Sequence, residues 1–545
     1  MRRLTRRNLL AGATAVAGGA TLAAALPGSS ALAADEAPAA EAGLTPTTPA
    51  VSVTPADPRY PDLARGDNNR WIGTPEQVVV VSTTQQALDA VQQAVTAGRR
   101  IAVRSGGHCY EDFTTSPDVK VVLNLSEMRA VYYDSARRAF AIEAGASLGD
   151  VYEQLYRKWG VTIPGGSCPT VAAGGHIAGG GYGVLNRTLG LTVDHLYGVE
   201  VVVVDAGGRA SVVVATRDST DARLRDLWWA HTGGGGGNFG VVTRYFMRSH
   251  GVNSTDPAKL LPKPPSEVWI ASYDLPWDGL TQAGFSRMLL NFGAWHERNS
   301  AAGTPAAALF SRFMVMNRAA GRHTLPIQVD ASVPGAEQMI ADFAAAVAEG
   351  TGITPRLTTK LRMPWLKATH WSGMFGGDGT GRADFKSAYM RKNFTPAHTA
   401  ALWKHLTRDD YGNPFSLVQI SGYGGRTNTV AAADTAVPQR DSVMKLMYLV
   451  GWQEPAQDAA HIAWIRDVYR EAYAETGGVP VPGDVMDGCF VNYCDIDLGD
   501  PAQNTSGVPW TTLYYKDNYP RLQRAKAAWD PRNVFRHAQS VQAAS

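Results

Sequence analysis

Two different patterns of apolar and polar positions run along this chain, and they divide it near residue 255. In the first part, short apolar runs alternate with one helical period at a time and with clusters of glycine. Residues 78–81 are four consecutive valines, which predicts a buried strand. Over 83–98 the apolar residues Leu88, Val91 and Val95 recur at three- and four-residue spacing, which predicts a helix with Thr84 as its N-cap and Gly98 as its stop. Residues 101–103 form the next strand, so the unit reads βαβ and delivers the chain into Arg104-Ser105-Gly106-Gly107-His108. Further strands are predicted at 121–123, 140–142 and 199–204, the last closed by the turn Asp205-Ala206-Gly207-Gly208, and a helix at Leu148–Trp159. Beyond a Pro/Lys-rich joint at 262–265 the pattern changes. Alternating strands at 267–273, 309–315 and 444–452 mix with alanine-rich helices such as 336–348, which predicts an α+β region with an antiparallel sheet. The segment 500–542 ends in a turn-rich motif and is expected to return to the first part.

One stretch stands outside both patterns. Residues 163–183 hold eight glycines and a single cysteine, Cys168, within twenty-one positions. Glycine admits positive φ and close approach of backbone to a ligand, at an entropic cost that a merely structural segment avoids. A flexible linker would be rich in serine; this stretch carries Ile, Val, Cys, His and Tyr among its glycines. It reads as a cradle for a cofactor, with Cys168 beside it.

Composition removes several alternatives. With 545 residues, 45% hydrophobic and 18% charged, the chain is long enough for two or three domains of ordinary globular type. The first 34 residues carry Arg2, Arg3, Arg6 and Arg7 and no acid, so their removal takes the formal charge from +2 to −2 and leaves no basic surface of nucleic-acid type. Thr5-Arg6-Arg7-Asn8-Leu9-Leu10, a weakly apolar Ala/Gly run and Ala31-Leu32-Ala33 predict a twin-arginine signal and leader over 1–43. The protein is then exported already folded, with no membrane association after signal removal. Four cysteines, Cys109, Cys168, Cys489 and Cys494, are too few for a disulfide scaffold. Cys489 and Cys494 either pair or stay free, and no Cys/His cluster has metal-site spacing.

Three glycine clusters carry the candidate chemistry. The loop 104–108 follows a strand, where consecutive backbone N–H groups form an anion nest suited to a pyrophosphate. The stretch 163–183 is the second cluster, and 233–240 is the third. None has the lysine-containing phosphate loop or the dinucleotide fingerprint in its strand-to-helix setting. Three separate cradles imply one large, extended cofactor with a diphosphate and a ring system.

Six motifs then occur in order: Arg-Ser-Gly-Gly-His from Arg104, Gly-Gly-Ser-Cys-Pro-Thr-Val from Gly165, and Gly-Gly-His-x-x-Gly-Gly-Gly-Tyr-Gly from Gly174; then Gly-Asn-Phe-Gly-Val-Val-Thr from Gly237, Val-Asn-Tyr-Cys-Asp from Val491, and Asn-Val-Phe-Arg-His-x-Gln-Ser from Asn533. Over 65–541 the chain resembles the berberine-bridge-enzyme-like branch of the vanillyl-alcohol-oxidase flavoproteins. The resemblance implies an α+β fold: a two-part FAD-binding domain, 65–255 and a C-terminal return at 496–541, around a substrate domain, 256–495, whose antiparallel sheet is backed by helices. It implies FAD bonded through His108 at the 8α-methyl and through Cys168 at C6. The cofactor set it implies comprises these two with Arg104, Ser105, Gly106, Gly107, the Cys109 backbone, Gly174, Gly175, His176, Gly179, Gly180, Gly181, Tyr182, Gly183, Asn238, Gly240, Val242, Asn492 and Asn533. Proximity and a neutral or deprotonated nucleophile suffice for either bond. Tyr493 matches the family's catalytic base, and Tyr423, in Ser421-Gly422-Tyr423-Gly424-Gly425, is a second acid/base candidate. A free phenol has a pKa near ~10, so the base needs either a stabilised phenolate or concerted loss of proton and hydride.

Within the branch, the resemblance is to secreted oxidases of glycosylated antibiotics. It implies oxidation of a secondary alcohol on the terminal deoxysugar of an anthracycline-type glycoside, with hydride passing to flavin N5 and O₂ becoming H₂O₂. Desaturation of the keto sugar in a second round is a further implication. An oligosaccharide oxidase forming a lactone is the alternative, and a non-catalytic flavin- or ligand-binding protein a remote one. Trp365, Trp371, Phe375 and Tyr389 are candidates for stacking on a sugar or an aglycone.

Overall fold

The computed structural model describes residues 49–371 and 381–544, so the leader 1–43 and Phe375 lie outside the described residues. The described strands form three sheets. The first holds β1 (Val51–Val53), β2 (Gln77–Val80), β3 (Ile101–Arg104) and β4 (Val121–Asn124) in the order β1-β2-β4-β3. β2 and β3 both run parallel to β4, which lies between them. The helix Thr84–Thr96 makes the crossover that the βαβ reading requires.

That helix differs from the expectation at its start. Thr83, in extended conformation, is the cap, accepting from the Gln86 N–H at 3.2 Å. Thr84 instead donates to Glu200 at 2.7 Å and ties the helix to the neighbouring sheet. Its buried face is mostly alanine (Ala87, Ala90, Ala94) with Val91, while Leu88 and Val95 are half-buried. The small residues let the helix lie close against its sheets.

The second sheet holds β5 (Val131–Asp134), β6 (Ala139–Glu143), β7 (Leu196–Val204), β8 (Ala210–Thr216) and β9 (Val241–Met247), in the order β5-β6-β9-β7-β8, antiparallel throughout. β7 is buried along nearly its whole length, as its continuous apolar run predicts. The helix Leu148–Trp159 has the predicted bounds. Ser147 caps it, and Gly160, at φ +68, stops it.

The third sheet holds β10 (Glu267–Pro276), β11 (Leu309–Met316), β12 (Arg322–Asp330), β13 (Arg356–Pro364), β14 (Arg382–Met390), β15 (Ser416–Gly422) and β16 (Met444–Trp452). Its order is β13-β10-β12-β11-β15-β16-β14, and every pair is antiparallel. The helices Gln282–Arg298, Ala336–Ala348, Pro396–Thr407 and Asp458–Ala472 pack on one another and on its strands. This is the α+β architecture with a helix-backed antiparallel sheet.

The C-terminal segment crosses back to the first part. Lys526, buried on the helix Tyr519–Trp529, donates to Asp530 at 2.6 Å, to the Phe535 carbonyl at 2.6 Å and to the Asn238 carbonyl at 2.7 Å. A buried ammonium costs several kcal/mol unless its donors are matched, and here three acceptors match them. The Asn238 side chain completes the junction by accepting from Val541 N–H at 2.9 Å and donating to Gly234 and Gly235.

Candidate active site

Two loops lie back to back at the heart of the site. A Cβ on Gly106 would stand 2.7 Å from Ala172 N, and one on Gly174 would stand 2.7 Å from Ser105 Oγ. Only glycine permits this approach of 104–107 to 172–175. Gly107 turns the first loop with φ +77. The consequence is that side chains sixty residues apart converge: His108 Nε2 lies 3.2 Å, and Cys168 Sγ 3.3 Å, from the same Thr170 hydroxyl. Asp67 lies 3.5 Å from the other ring nitrogen of His108. Both candidate anchors keep some exposure, as a nucleophile awaiting a partner must.

The rest of the glycine stretch is a packed wall. His176 accepts from Gly166 N–H at 3.1 Å, and its own carbonyl accepts from Asn492 Nδ2 at 3.0 Å. Burial, with Lys445 nearby, pushes the His176 imidazole down to about 4, so it stays a neutral acceptor. A Cβ on Gly179 would run into the Asn492 carboxamide, and one on Gly183 into the Gly165 carbonyl. Gly180 and Gly181 sit at φ +110 and +66. By contrast, a Cβ on Gly175 or on Gly236 would meet nothing within 4 Å, so the wall and the third cluster each open onto free space.

Other expected cofactor residues serve the frame with their side chains. Arg104 donates its guanidinium to the carbonyls of Leu63 and Arg65. Asn238 is engaged at the C-terminal junction, Val242 pairs with Val201 inside the second sheet beside Gly240, and Asn533 turns the chain at φ +51 after Asp530. The Arg104 and Asn238 side chains are thus engaged by the frame, whereas the Asn533 amide oxygen is buried without a hydrogen-bond partner. All four cysteines are free, and Cys494 faces Cys109 rather than Cys489.

Opposite the wall stands a row in which sequence reasoning had singled out Tyr389 and the Ser421 motif but missed Arg312 and Lys445. Register across β11, β15, β16 and β14 aligns Arg312 with Ser421, Ser421 with Lys445, and Lys445 with Tyr389. Arg312 donates to Ser167 Oγ at 2.8 Å and thereby links the row to the Cys168 loop. Lys445 Nζ is buried without a hydrogen-bond partner. It lies 3.3 Å from the centroid of the Tyr182 ring, 3.1 Å from that of Phe490 and 4.4 Å from that of Tyr493. Desolvation, and then the Arg312 charge, push this amine well below the ordinary lysine range. A lysine inside the apolar run Met444-Lys445-Leu446-Met447 was the available signal; its register was not.

The row meets the two tyrosines that matter most. Tyr493 and Tyr182 share a 2.8 Å hydrogen bond between their hydroxyls. Tyr182, expected at the cofactor, is therefore also a partner of the expected base. Burial holds the Tyr493 phenol well above 10, as does the neighbouring Tyr182, so an isolated phenolate is disfavoured. Tyr423 is fully buried, edge-on to Tyr389 at 5.2 Å and 6.4 Å from Tyr182, and desolvation raises it too. Of the stacking candidates, Trp365 is buried against Tyr152 and Tyr156, and Tyr389 belongs to the cluster around Lys445, whereas Trp371 is half-buried.

A half-buried histidine and thiol, a hydrogen-bonded pair of phenols and an amine without a hydrogen-bond partner suit a redox ring. No His/Cys/Asp/Glu cluster among the described residues suits a metal. The open space at Gly175 and Gly236, with two half-buried nucleophiles converging on Thr170, fits FAD, and the class is that of an FAD-dependent oxidase. Comparison with known proteins narrows the class. Residues 75–211 match an FAD binding domain and residues 489–542 the berberine and berberine-like domain, and the chain belongs to the berberine-bridge-like family of FAD-linked oxidases. It is 52% identical to aclacinomycin-N/aclacinomycin-A oxidase of Streptomyces galilaeus over 98% of each chain. Its fold is similar to the crystal structure of aclacinomycin oxidoreductase (TM-score 0.88, 52% identity, 91% of this chain and 100% of that one). It is also similar to a glycopeptide hexose oxidase complexed with teicoplanin (TM-score 0.87, 48% identity, 91% and 99%).

Proposed function

We propose that this protein oxidises a secondary alcohol on the sugar of a glycosylated small molecule, with an anthracycline-type glycoside bearing a terminal deoxysugar as the leading substrate class. The observation that carries the chemistry is the hydroxyl pair Tyr493–Tyr182 at 2.8 Å beneath the Lys445 amine. The substrate class rests on similarity to an oxidase of aclacinomycin and to a glycopeptide hexose oxidase.

FAD would be held by bonds from His108 and Cys168, along the wall from Gly174 to Gly183. When bound, it supplies a two-electron acceptor at which dioxygen is then reduced to hydrogen peroxide. The chain's own part is proton handling. Tyr493 Oη takes the alcohol proton as the carbinol hydrogen leaves, and the hydrogen bond to Tyr182 spreads the developing charge over two phenols. Because burial disfavours a lasting phenolate, proton and hydride leave together. Lys445 lies over the Tyr182 ring, where a proton on its amine would stabilise negative charge on that phenol. Tyr423, at the far side of Tyr182, is the candidate acid/base for a second round that desaturates the keto sugar. Export of the folded holoprotein rests on the twin-arginine motif at Arg6-Arg7 and is checked by fractionating cells that express Arg6→Lys/Arg7→Lys.

Two experiments test the reading. Without oxygen, aclacinomycin-type glycosides are expected to bleach the flavin absorbance. Bleaching by cello- or malto-oligosaccharides alone would transfer the assignment to the lactone-forming reaction, and no bleaching by any alcohol would remove the oxidase reading. For attachment, acid precipitation of the wild type is expected to release no flavin, each single variant His108→Ala or Cys168→Ala to retain it through the other residue, and the double variant to release all of it.

A further inference from the structure

Cys109 and Cys494 are 385 residues apart in sequence and lie at neither expected bonding position, yet their sulfurs face each other at 3.9 Å. Each directly follows a functional residue: Cys109 follows His108, and Cys494 follows Tyr493. The backbone amides of Glu111 and Phe113 favour a thiolate at Cys109, and that of Glu111 favours one at Cys494. Such amides are the means by which a protein holds a thiolate.

We propose that Cys109 and Cys494 form a peroxide-responsive thiol pair that closes to a disulfide and staples the His108 loop to the Tyr493 segment. A disulfide needs an S–S distance of about 2.05 Å, so from 3.9 Å the two sulfurs must approach by roughly 2 Å. The Cys494 hydrogen bond and the two amides favour the thiolate at Cys109 over that at Cys494, which makes Cys109 the attacking sulfur. Cys109 displaces hydroxide from hydrogen peroxide and becomes a sulfenic acid. Cys494 attacks that sulfur, forming the disulfide and releasing water. In sum, two thiols lose two hydrogens and one peroxide becomes two waters. Cys489 is the internal contrast. It is buried against the Tyr469 hydroxyl at 3.4 Å, and burial pushes its thiol up to about 12, so it stays inert.

Only the natural source of the peroxide rests on the oxidase reading, so the test supplies peroxide directly to holoprotein without substrate. Protein treated with hydrogen peroxide, quenched with catalase, unfolded and alkylated is expected to lose two alkylatable thiols and to yield a Cys109–Cys494 linked peptide that dithiothreitol separates. Cys494→Ser is expected to trap a dimedone adduct on Cys109. Full alkylation of Cys109 and Cys494 after a treatment that oxidises surface methionines would overturn the proposal. So would a disulfide that contains Cys489.

Discussion

The two walls of the active site are built on opposite plans. The glycine wall is drawn from two short stretches, 163–183 and the 104–108 loop, and is shaped by backbone. Its residues matter for what they lack, and Gly106, Gly174, Gly179 and Gly183 each stand where a Cβ would strike a neighbour. The facing row of Arg312, Ser421, Lys445 and Tyr389 spans four strands and more than a hundred residues, and it exists only through register. A one-residue slip of β16 would turn Lys445 to the helix side. The difference teaches where each kind of damage should appear: changes in the wall weaken folding and cofactor retention, whereas changes in the row slow the reaction in an intact fold.

Four substitutions can break that division. Tyr493→Phe removes the hydroxyl proposed to take the proton. Anaerobic flavin reduction followed by stopped flow is expected to slow by about 10²–10⁴-fold with the flavin still attached. A rate within a few-fold of wild type would move the base to Tyr182 or Tyr423. On the wall side, His176 binds no proton in the native state until about pH 4, whereas an unfolded histidine binds one near 6.5. Unfolding in acid therefore takes up a proton. This contribution to stability is complete above pH 6.5 and is lost as pH falls towards 4, by about 3 kcal/mol. Protonation would also set an N–H against the Gly166 N–H. Denaturant midpoints measured from pH 7 to 4 are expected to fall less steeply in His176→Gln. An unchanged slope would assign acid sensitivity to the other buried histidines.

Lys445→Met keeps the volume and removes the amine. At pH low enough to protonate the amine, loss of a desolvated cation–π contact of about 2 kcal/mol predicts roughly thirty-fold slower reduction, with little change where the amine is neutral. An equal slowing at all pH values would reduce Lys445 to packing. Gly179→Ala presses a methyl into Asn492, and thermal unfolding is expected to show a loss of about 1–2 kcal/mol. If this variant instead slowed turnover with its stability intact, the division between the walls would fail.

Much of the wall was legible without coordinates. Glycine density, an isolated thiol and a Gly-Gly-His after a βαβ unit all report local backbone demands, which sequence states directly. His108 and Cys168 converge on the Thr170 hydroxyl. The substrate sheet was legible as antiparallel, and helix Leu148–Trp159 and β16 (Met444–Trp452) to the residue, because capping and alternation are local. The cap at Thr83 was missed by one position because both candidates are threonines and only tertiary contact with Glu200 separates them. Cys494 was weighed against its sequence neighbour Cys489, and its facing partner Cys109 lay across the fold.

By itself the sequence determined the class of chemistry: FAD-dependent oxidation, read from a glycine cradle, an isolated histidine and thiol beside it and a tyrosine near the C-terminal return. Those follow from residue types and short spacing, where sterics and reactivity are fixed over a few bonds. Only the tertiary structure decided that Tyr182 shares a proton with Tyr493, that Lys445 lies above them and that Arg312 ties the row to the Cys168 loop. Those facts depend on which strands pair and in what register. The pairing is a sum over the whole buried sheet and is written in no single stretch of the chain.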